Sequence, residues 1–171
     1  MNSQVVDLDR FKLAHESGGV DGGETYETAL AELKSGQKTS HWIWYVFPQG
    51  PIGGRSSTAL KYQIQNLEEA KAYVVDSLLF GRLVEVTTIL RGQLQSRVLE
   101  GIQGHRALQQ IMGSEIDAIK TVSCLTLFTS LVVKDSSDAG MEFRAAAEEV
   151  LEMIKPDMVS CQRTIALGWF D

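Results

Sequence analysis

Cysteine, proline, histidine and positive charge are all scarce in this chain, and each shortage argues against something. Among 171 residues there are two cysteines, Cys124 and Cys161. Neither belongs to a CxxC pair, which argues against a disulfide framework and against a structural zinc site. Both lie in apolar segments, so buried, reduced and unpaired thiols are expected. The 16 Lys and Arg stand against 22 Asp and Glu, a net charge of −6, which argues against a general nucleic-acid or anionic-membrane binder. Long apolar runs are missing too: the uncharged stretch Thr121–Val133 is too short to span a bilayer and is rich in hydroxyls. The opening residues MNSQVVDLDRFKLAHE include Asp7 and no apolar core, so no secretory leader is expected. These features lead to the expectation of a soluble, cytoplasmic protein that needs no cofactor or metal.

What the chain does contain is long helical spacing. Its three prolines, Pro48, Pro51 and Pro156, leave extended segments with apolar residues three and four apart. The stripe Tyr26, Ala29, Leu30 and Leu33 predicts a helix over 24–35 that stops at Gly36, with Asp21 and Glu24 as a capping box. Asn66 with Glu69 opens a second helix, Ser77 caps a long one to about Glu100 that Gly92 ends or kinks, and Ser114 starts another reaching about Val133. Residues 134–140 read as a polar loop, 141–154 as a helix, and Asp157 caps a last helix to about Leu167. A first helix covers Asp7–His15. With no internal repeat and no linker, the expectation is an all-α fold, one compact domain over residues 1–171 with seven or eight helices.

One segment breaks this pattern. Residues 40–49, SHWIWYVFPQ, concentrate aromatic and aliphatic side chains that propensity alone assigns to a buried strand. A lone strand in a helical chain leaves both edges unpaired, so a buried helix ending before Pro48 is expected instead. Trp42 and Trp44 carry N–H groups that need partners, and Ser40, His41 and Gln49 bracket them with donors and acceptors, a composition suited either to core or to an aromatic-walled ligand pocket. His41 is the candidate for acid–base work, because histidine alone titrates near neutrality unperturbed. His15 in the first helix and His105 in a loop have no spacing partners and read as surface residues. The turn GPIGGRSS at 50–57 offers Arg55 and Ser56 as an anion cradle or forms an ordinary mobile loop. Farther on, Lys120, Ser123, Thr126 and Ser130 fall on one helix face; such hydroxyls either bond back to carbonyls one turn earlier or line a polar cavity. No GxSxG, GxGxxG or Walker motif is present, and Cys124 has only Lys120 as a basic neighbour one turn away.

Three of these strings together resemble a known family: D-L-x-R-F (Asp7, Leu8, Arg10, Phe11), SHWxWxxFPQ (40–49) and K-x-x-S-x-x-T-L-F (Lys120, Ser123, Thr126, Leu127, Phe128). The chain resembles the domain-of-unknown-function family eighteen-ten, also called Rv1873-like and in genomes sometimes labelled calpastatin, from about residue 7 to 168. The resemblance implies a mainly helical domain and no particular activity. It also implies that the aromatic segment and the Lys120–Thr126 face meet in space. The calpastatin label finds no support in the residues, since calpastatin inhibitory segments are disordered and polar.

Two function classes follow. The first is a small-molecule-binding protein holding an anionic or nucleotide-like ligand among Ser40, His41, Trp42, Trp44, Gln49, Arg55, Ser56, Lys120, Ser123 and Thr126, with Arg55 and Lys120 as its cations. Helical hydrolases of ADP-ribose conjugates (the NADAR proteins) are similar in architecture only, without a shared motif, so whether the chain is an enzyme stays open. The second class is a module that meets a protein partner through exposed aromatics.

Overall fold

The computed structural model describes residues 6–19, 22–158 and 160–170, in ten helices and, among those residues, no strand. In chain order they are α1 (Asp9–Ser17), α2 (Tyr26–Ser35), α3 (Ile43–Val46), α4 (Ser57–Tyr62), α5 (Leu67–Val75), α6 (Ser77–Leu99), α7 (Gly104–Met112), α8 (Glu115–Leu131), α9 (Asp138–Met153) and α10 (Gln162–Ile165). Seven of them have at least seven residues, and six of those seven, all but α7, lie where the spacing predicts a helix. The long helix α6 is the axis of the fold, packed against α2, α5, α7 and α9. Helix α8 lies beside α7 and α9 and also receives α3, α5 and α10. Its residues 121–128 are all buried, Thr121, Ser123 and Thr126 among them, so this half of α8 is enclosed by other elements on every side. Among the described residues, no helix is long and apolar enough to cross a membrane.

Local chemistry explains most of the boundaries. Asn66 Oδ1 accepts the Glu69 N–H at 2.9 Å and Ser114 Oγ the Asp117 N–H at 3.1 Å, two of the caps expected, whereas Asp157 does not cap the last helix, which follows Cys161. Helix α6 is capped by Asp76 rather than Ser77, because the Asp76 carboxylate takes the Leu79 N–H at 2.9 Å. It runs through Gly92 without ending. Asp21 lies outside the described residues, and Thr25 is the residue that caps α2. At the other end of α2, Gly36 has φ +85 and the Gln37 N–H reaches back to the Glu32 carbonyl at 3.1 Å, a left-handed stop that glycine adopts without strain.

Elsewhere the boundaries differ from expectation. Helices α4 and α7 were not anticipated, and they place His105 in the first turn of α7 rather than in a loop. Ser137 caps α9, so the 134–140 loop is shorter than expected. The last helix is a single turn.

Aromatic rings tie the layers together: Phe11 meets Tyr73 edge-on with centroids 5.4 Å apart, Tyr73 meets Phe128 at 5.1 Å, and Tyr45 meets Tyr62 at 5.1 Å. His15, expected at the surface, is 3% exposed. Its Nε2 donates to the Tyr45 carbonyl at 2.7 Å, Arg82 Nη1 lies 3.2 Å from its Nδ1, and its ring stacks on Tyr26. The apolar stripe of α1, carrying Phe11 and Ala14, rotates His15 inward as well.

The D-L-x-R-F string forms a clamp. Arg10 places two nitrogens on the Glu69 carboxylate at 2.6 and 2.9 Å and gives the rest of its guanidinium to the carbonyls of Asp7, Lys61 and Gln63. One side chain thereby joins α1 to α5 and to the end of α4. Removing one partner of such a pair strands the other in a buried position. Arg10→Ala is expected to lower the stability by about 3–5 kcal/mol, read as a fall in the urea midpoint at pH 7; an unchanged midpoint would show that the clamp contributes nothing.

Candidate functional site

The aromatic segment folds as expected into a buried helical turn, α3, that ends before Pro48. What holds it is a residue the sequence reading passed over. The Glu32 carboxylate, on α2, accepts the Thr39 N–H and hydroxyl at 2.8 and 2.9 Å, the Ser40 N–H and hydroxyl at 3.2 and 2.6 Å, and the Trp42 indole N–H at 2.8 Å. Partial burial alone would raise the Glu32 pKa, but these donors outweigh it and hold the carboxyl down to about 2. Trp42, Tyr45 and Phe47 are fully enclosed in the core, whereas Trp44 is half-buried.

Lys38 continues the network. Its ammonium donates to the Ser40 carbonyl at 2.6 Å, pairs with Asp117 at 2.6 Å and lies 5.1 Å from the Trp42 ring centre. Asp117 also pairs with Lys120 at 3.3 Å, and Lys120 Nζ sits 4.0 Å above the Trp44 ring, a cation–π contact. The two strings therefore do meet in space, at Trp44 and Lys120, with Asp117 and Lys38 linking them. Gly113 permits the crossing: at φ +79 it lies so close to the Lys38 carbonyl that an added Cβ would be 2.6 Å from that oxygen.

The remaining expected residues separate. Gln49 and Trp44 share a slot of about 20 Å³ with Gly50, Gly54 and Tyr62, room for one water rather than a nucleotide. His41 and Arg55 are exposed and are not among its walls. Ser56 caps α4 through the Ala59 N–H at 3.1 Å. Ser123, Thr126 and Ser130 donate to the carbonyls of Ile119, Val122 and Thr126 at 3.0, 2.7 and 2.8 Å, the back-bonding alternative.

Ser123 and Thr126 have a second neighbour, however: Cys161. The Cys161 N–H donates to Thr126 Oγ1 at 3.0 Å. Unlike Cys124, Cys161 is only partly buried, and it shares a cavity of about 390 Å³ with Ser123. Ile119, Val122 and Met158 supply the apolar wall, and His105, Gln109, Glu115 and Asp157 supply the polar one. His105 Nδ1 lies 3.0 Å from Asp157 Oδ2, within ion-pairing distance once the ring is protonated. Partial burial pushes the Cys161 thiol up, but the Ser123 and Thr164 hydroxyls and the N–H groups of Thr164 and Arg163 outweigh it and hold the thiol below its ordinary value. Complete burial pushes Cys124 the other way. A second cavity of about 410 Å³ opens beside Arg10 and Glu69, but those two groups already satisfy each other.

Residues 5–149 match the model of the family described as "Protein of unknown function (DUF1810)". The chain belongs to that family. It is similar to the conserved hypothetical protein Rv1873 from Mycobacterium tuberculosis, solved as a crystal structure: identity is 33%, the TM-score is 0.67, and the match covers 95% of this chain and 96% of the other. No curated protein matches the chain. In this DUF1810 chain the matched residues include Glu32, Lys38, Asp117 and Lys120, whereas Asp157 and Cys161 lie beyond them.

Two acid transitions should follow from the buried groups. Burial, reinforced by Arg82 against the opposing Tyr45 hydrogen bond, depresses His15 from 6.5 to about 4. The unfolded chain thus binds the extra proton first, and stability is lost as pH falls from 6.5 towards 4. Glu32, ordinarily near 4.5 and here about 2, adds a further loss as pH falls from 4.5 towards 2. Melting temperature followed from pH 8 downwards should decline in these two stages. Glu32→Gln should shrink the lower stage, to which Asp76 and Asp135 also contribute, and cost about 1–3 kcal/mol at pH 7, since the amide turns one acceptor into a donor facing donors. A variant as stable as the parent at pH 7 would contradict the role assigned to Glu32.

Proposed function

We propose that this chain is a small-molecule-binding protein whose ligand seats in the cavity shared by α7, α8, Asp157, Met158 and Cys161, and that the ligand is uncharged or cationic. The observation that carries this reading is the make-up of one enclosure: an apolar wall of Ile119, Val122 and Met158 facing His105, Gln109, Ser123 and Cys161 in about 390 Å³. That is the size and mixture that bury and orient a small organic molecule. Glu115 and Asp157 on the same walls repel anions, so the charge preference is opposite to the anionic ligand expected from composition and turn chemistry. An anion at Trp44 would rely on Lys120, whose charge already has Asp117 and an aromatic face. A partner surface made of aromatics has little to offer, because Trp42, Tyr45 and Phe47 are inside the core.

Thermal shift with benzamide, indole, ADP-ribose and inorganic phosphate tests the reading. An uncharged aromatic probe at a hundred times its dissociation constant should add about 2.7 kcal/mol of stability, while ADP-ribose and phosphate should add none. Ile119→Trp, at a half-exposed position on the cavity wall, should abolish the shift without lowering the melting temperature of the free protein. A shift from ADP-ribose alone, or one that survives Ile119→Trp, would overturn the proposal.

A further inference from the structure

Two cysteines in one chain occupy opposite chemical settings. Cys124 is fully enclosed in α8 and out of reach of solvent. Cys161 is partly buried on the wall of the α7–α8 cavity, which Ser123 and the His105–Asp157 pair also line. Its backbone is pinned by the hydrogen bond to Thr126, so the thiol is presented from a fixed position. The charged and titratable groups around it are His105 on α7, Glu115 at the start of α8, Asp157 on the incoming segment, and Arg163 on α10.

Resting on the ligand seat proposed above, we infer that Cys161 is a nucleophilic thiol that adds to small, uncharged α,β-unsaturated carbonyl compounds bound in this cavity, with the His105–Asp157 pair as its proton acceptor. The step balances without a further reagent. The thiol proton passes to the His105 ring, and the Sγ lone pair forms the S–C bond at the β-carbon. The alkene electron pair moves to the α-carbon as an enolate, and that carbon takes back the proton from the imidazolium. Nothing is oxidised or reduced, and the product is the simple adduct. A thiolate is a soft nucleophile suited to such an acceptor. Asp157 stabilises the imidazolium formed during transfer, and the Gln109 amide offers a donor to the carbonyl oxygen. Glu115 and Asp157 set the selectivity, because a carboxylate-bearing acceptor meets like charge on entry. The hydrogen-bonded environment that holds the Cys161 thiol below its ordinary value acts in the same direction.

N-ethylmaleimide is an uncharged acceptor of this class and serves as the probe, with the full chain in its native state and peptide mapping by mass spectrometry. Cys161 should take one adduct while Cys124 takes none. At pH 7 Cys161 should label faster than N-acetylcysteine, because a depressed thiol holds more thiolate, even though its lower basicity gives back part of the gain. A maleimide carrying a carboxylate should react more slowly than the neutral one. His105→Gln should slow labelling at pH 7 and move the midpoint of the rate–pH profile upward, with an unchanged far-UV spectrum. The parent's own rate–pH profile needs no variant and keeps the test decisive should His105→Gln fail to fold. A Cys161 that reacts no faster than N-acetylcysteine, or labelling that His105→Gln leaves untouched, would overturn the inference. Cys161→Ser separates it from the binding reading: a thermal shift retained in that variant beside slow labelling of the parent refutes the thiol's role alone. Fast labelling with no thermal shift for any uncharged probe refutes the ligand seat.

Discussion

Much of the molecule hangs on one carboxylate. Glu32 sits in the last turn of α2, and it collects donors from Thr39, Ser40 and Trp42 after the chain has turned back at Gly36. A tryptophan can enter a core only if its N–H finds an acceptor, because an unpaired buried donor costs about 1–3 kcal/mol. The Glu32 acceptor therefore decides that Trp42 goes inside, that Trp44, two residues on, is only half-buried, and that α3 is a single turn wedged between α1 and α8. Lys38, nearly buried, brings the positive charge that this carboxylate-rich corner needs and passes it on to Asp117 of α8.

Seen from this centre, the strings that look functional are mostly architectural. Arg10 clamps α1 to α5, Ser56 starts α4, and the hydroxyls of Ser123, Thr126 and Ser130 satisfy carbonyls of their own helix. Lys120 covers Trp44 rather than waiting for a ligand. Polar residues next to tryptophans satisfy the same hydrogen-bond requirement whether the polar atom comes from a ligand or from the protein, and here the protein supplies it.

Chemistry gathers instead where the chain returns to α8. After α9, Asp157, Met158 and Cys161 lie beside α7 and α8, and Thr126 takes the Cys161 N–H. That return assembles His105, Ser123, Asp157 and Cys161, drawn from three separate stretches, around an apolar wall. It lies partly outside the residues that match the family model, so membership in the DUF1810 family says little about it.

Much of the architecture was legible in the residues themselves. Helical spacing, the Asn66 and Ser114 caps, the Gly36 stop and the aromatic turn before Pro48 are local properties, decided by side chains within a few positions of one another and therefore readable along the chain. The meeting of Trp44 with Lys120 was carried by the resemblance of two strings and is now explained by Asp117 and Lys38. What the chain order could not reveal was long-range partnership. His15 looks like any helical surface histidine until Tyr45 and Arg82 close over it. His105, Asp157 and Cys161 have no common spacing, because they converge only when α7, α8 and the final segment pack. Charge and burial act through space, and only the tertiary structure determines which of these groups become neighbours.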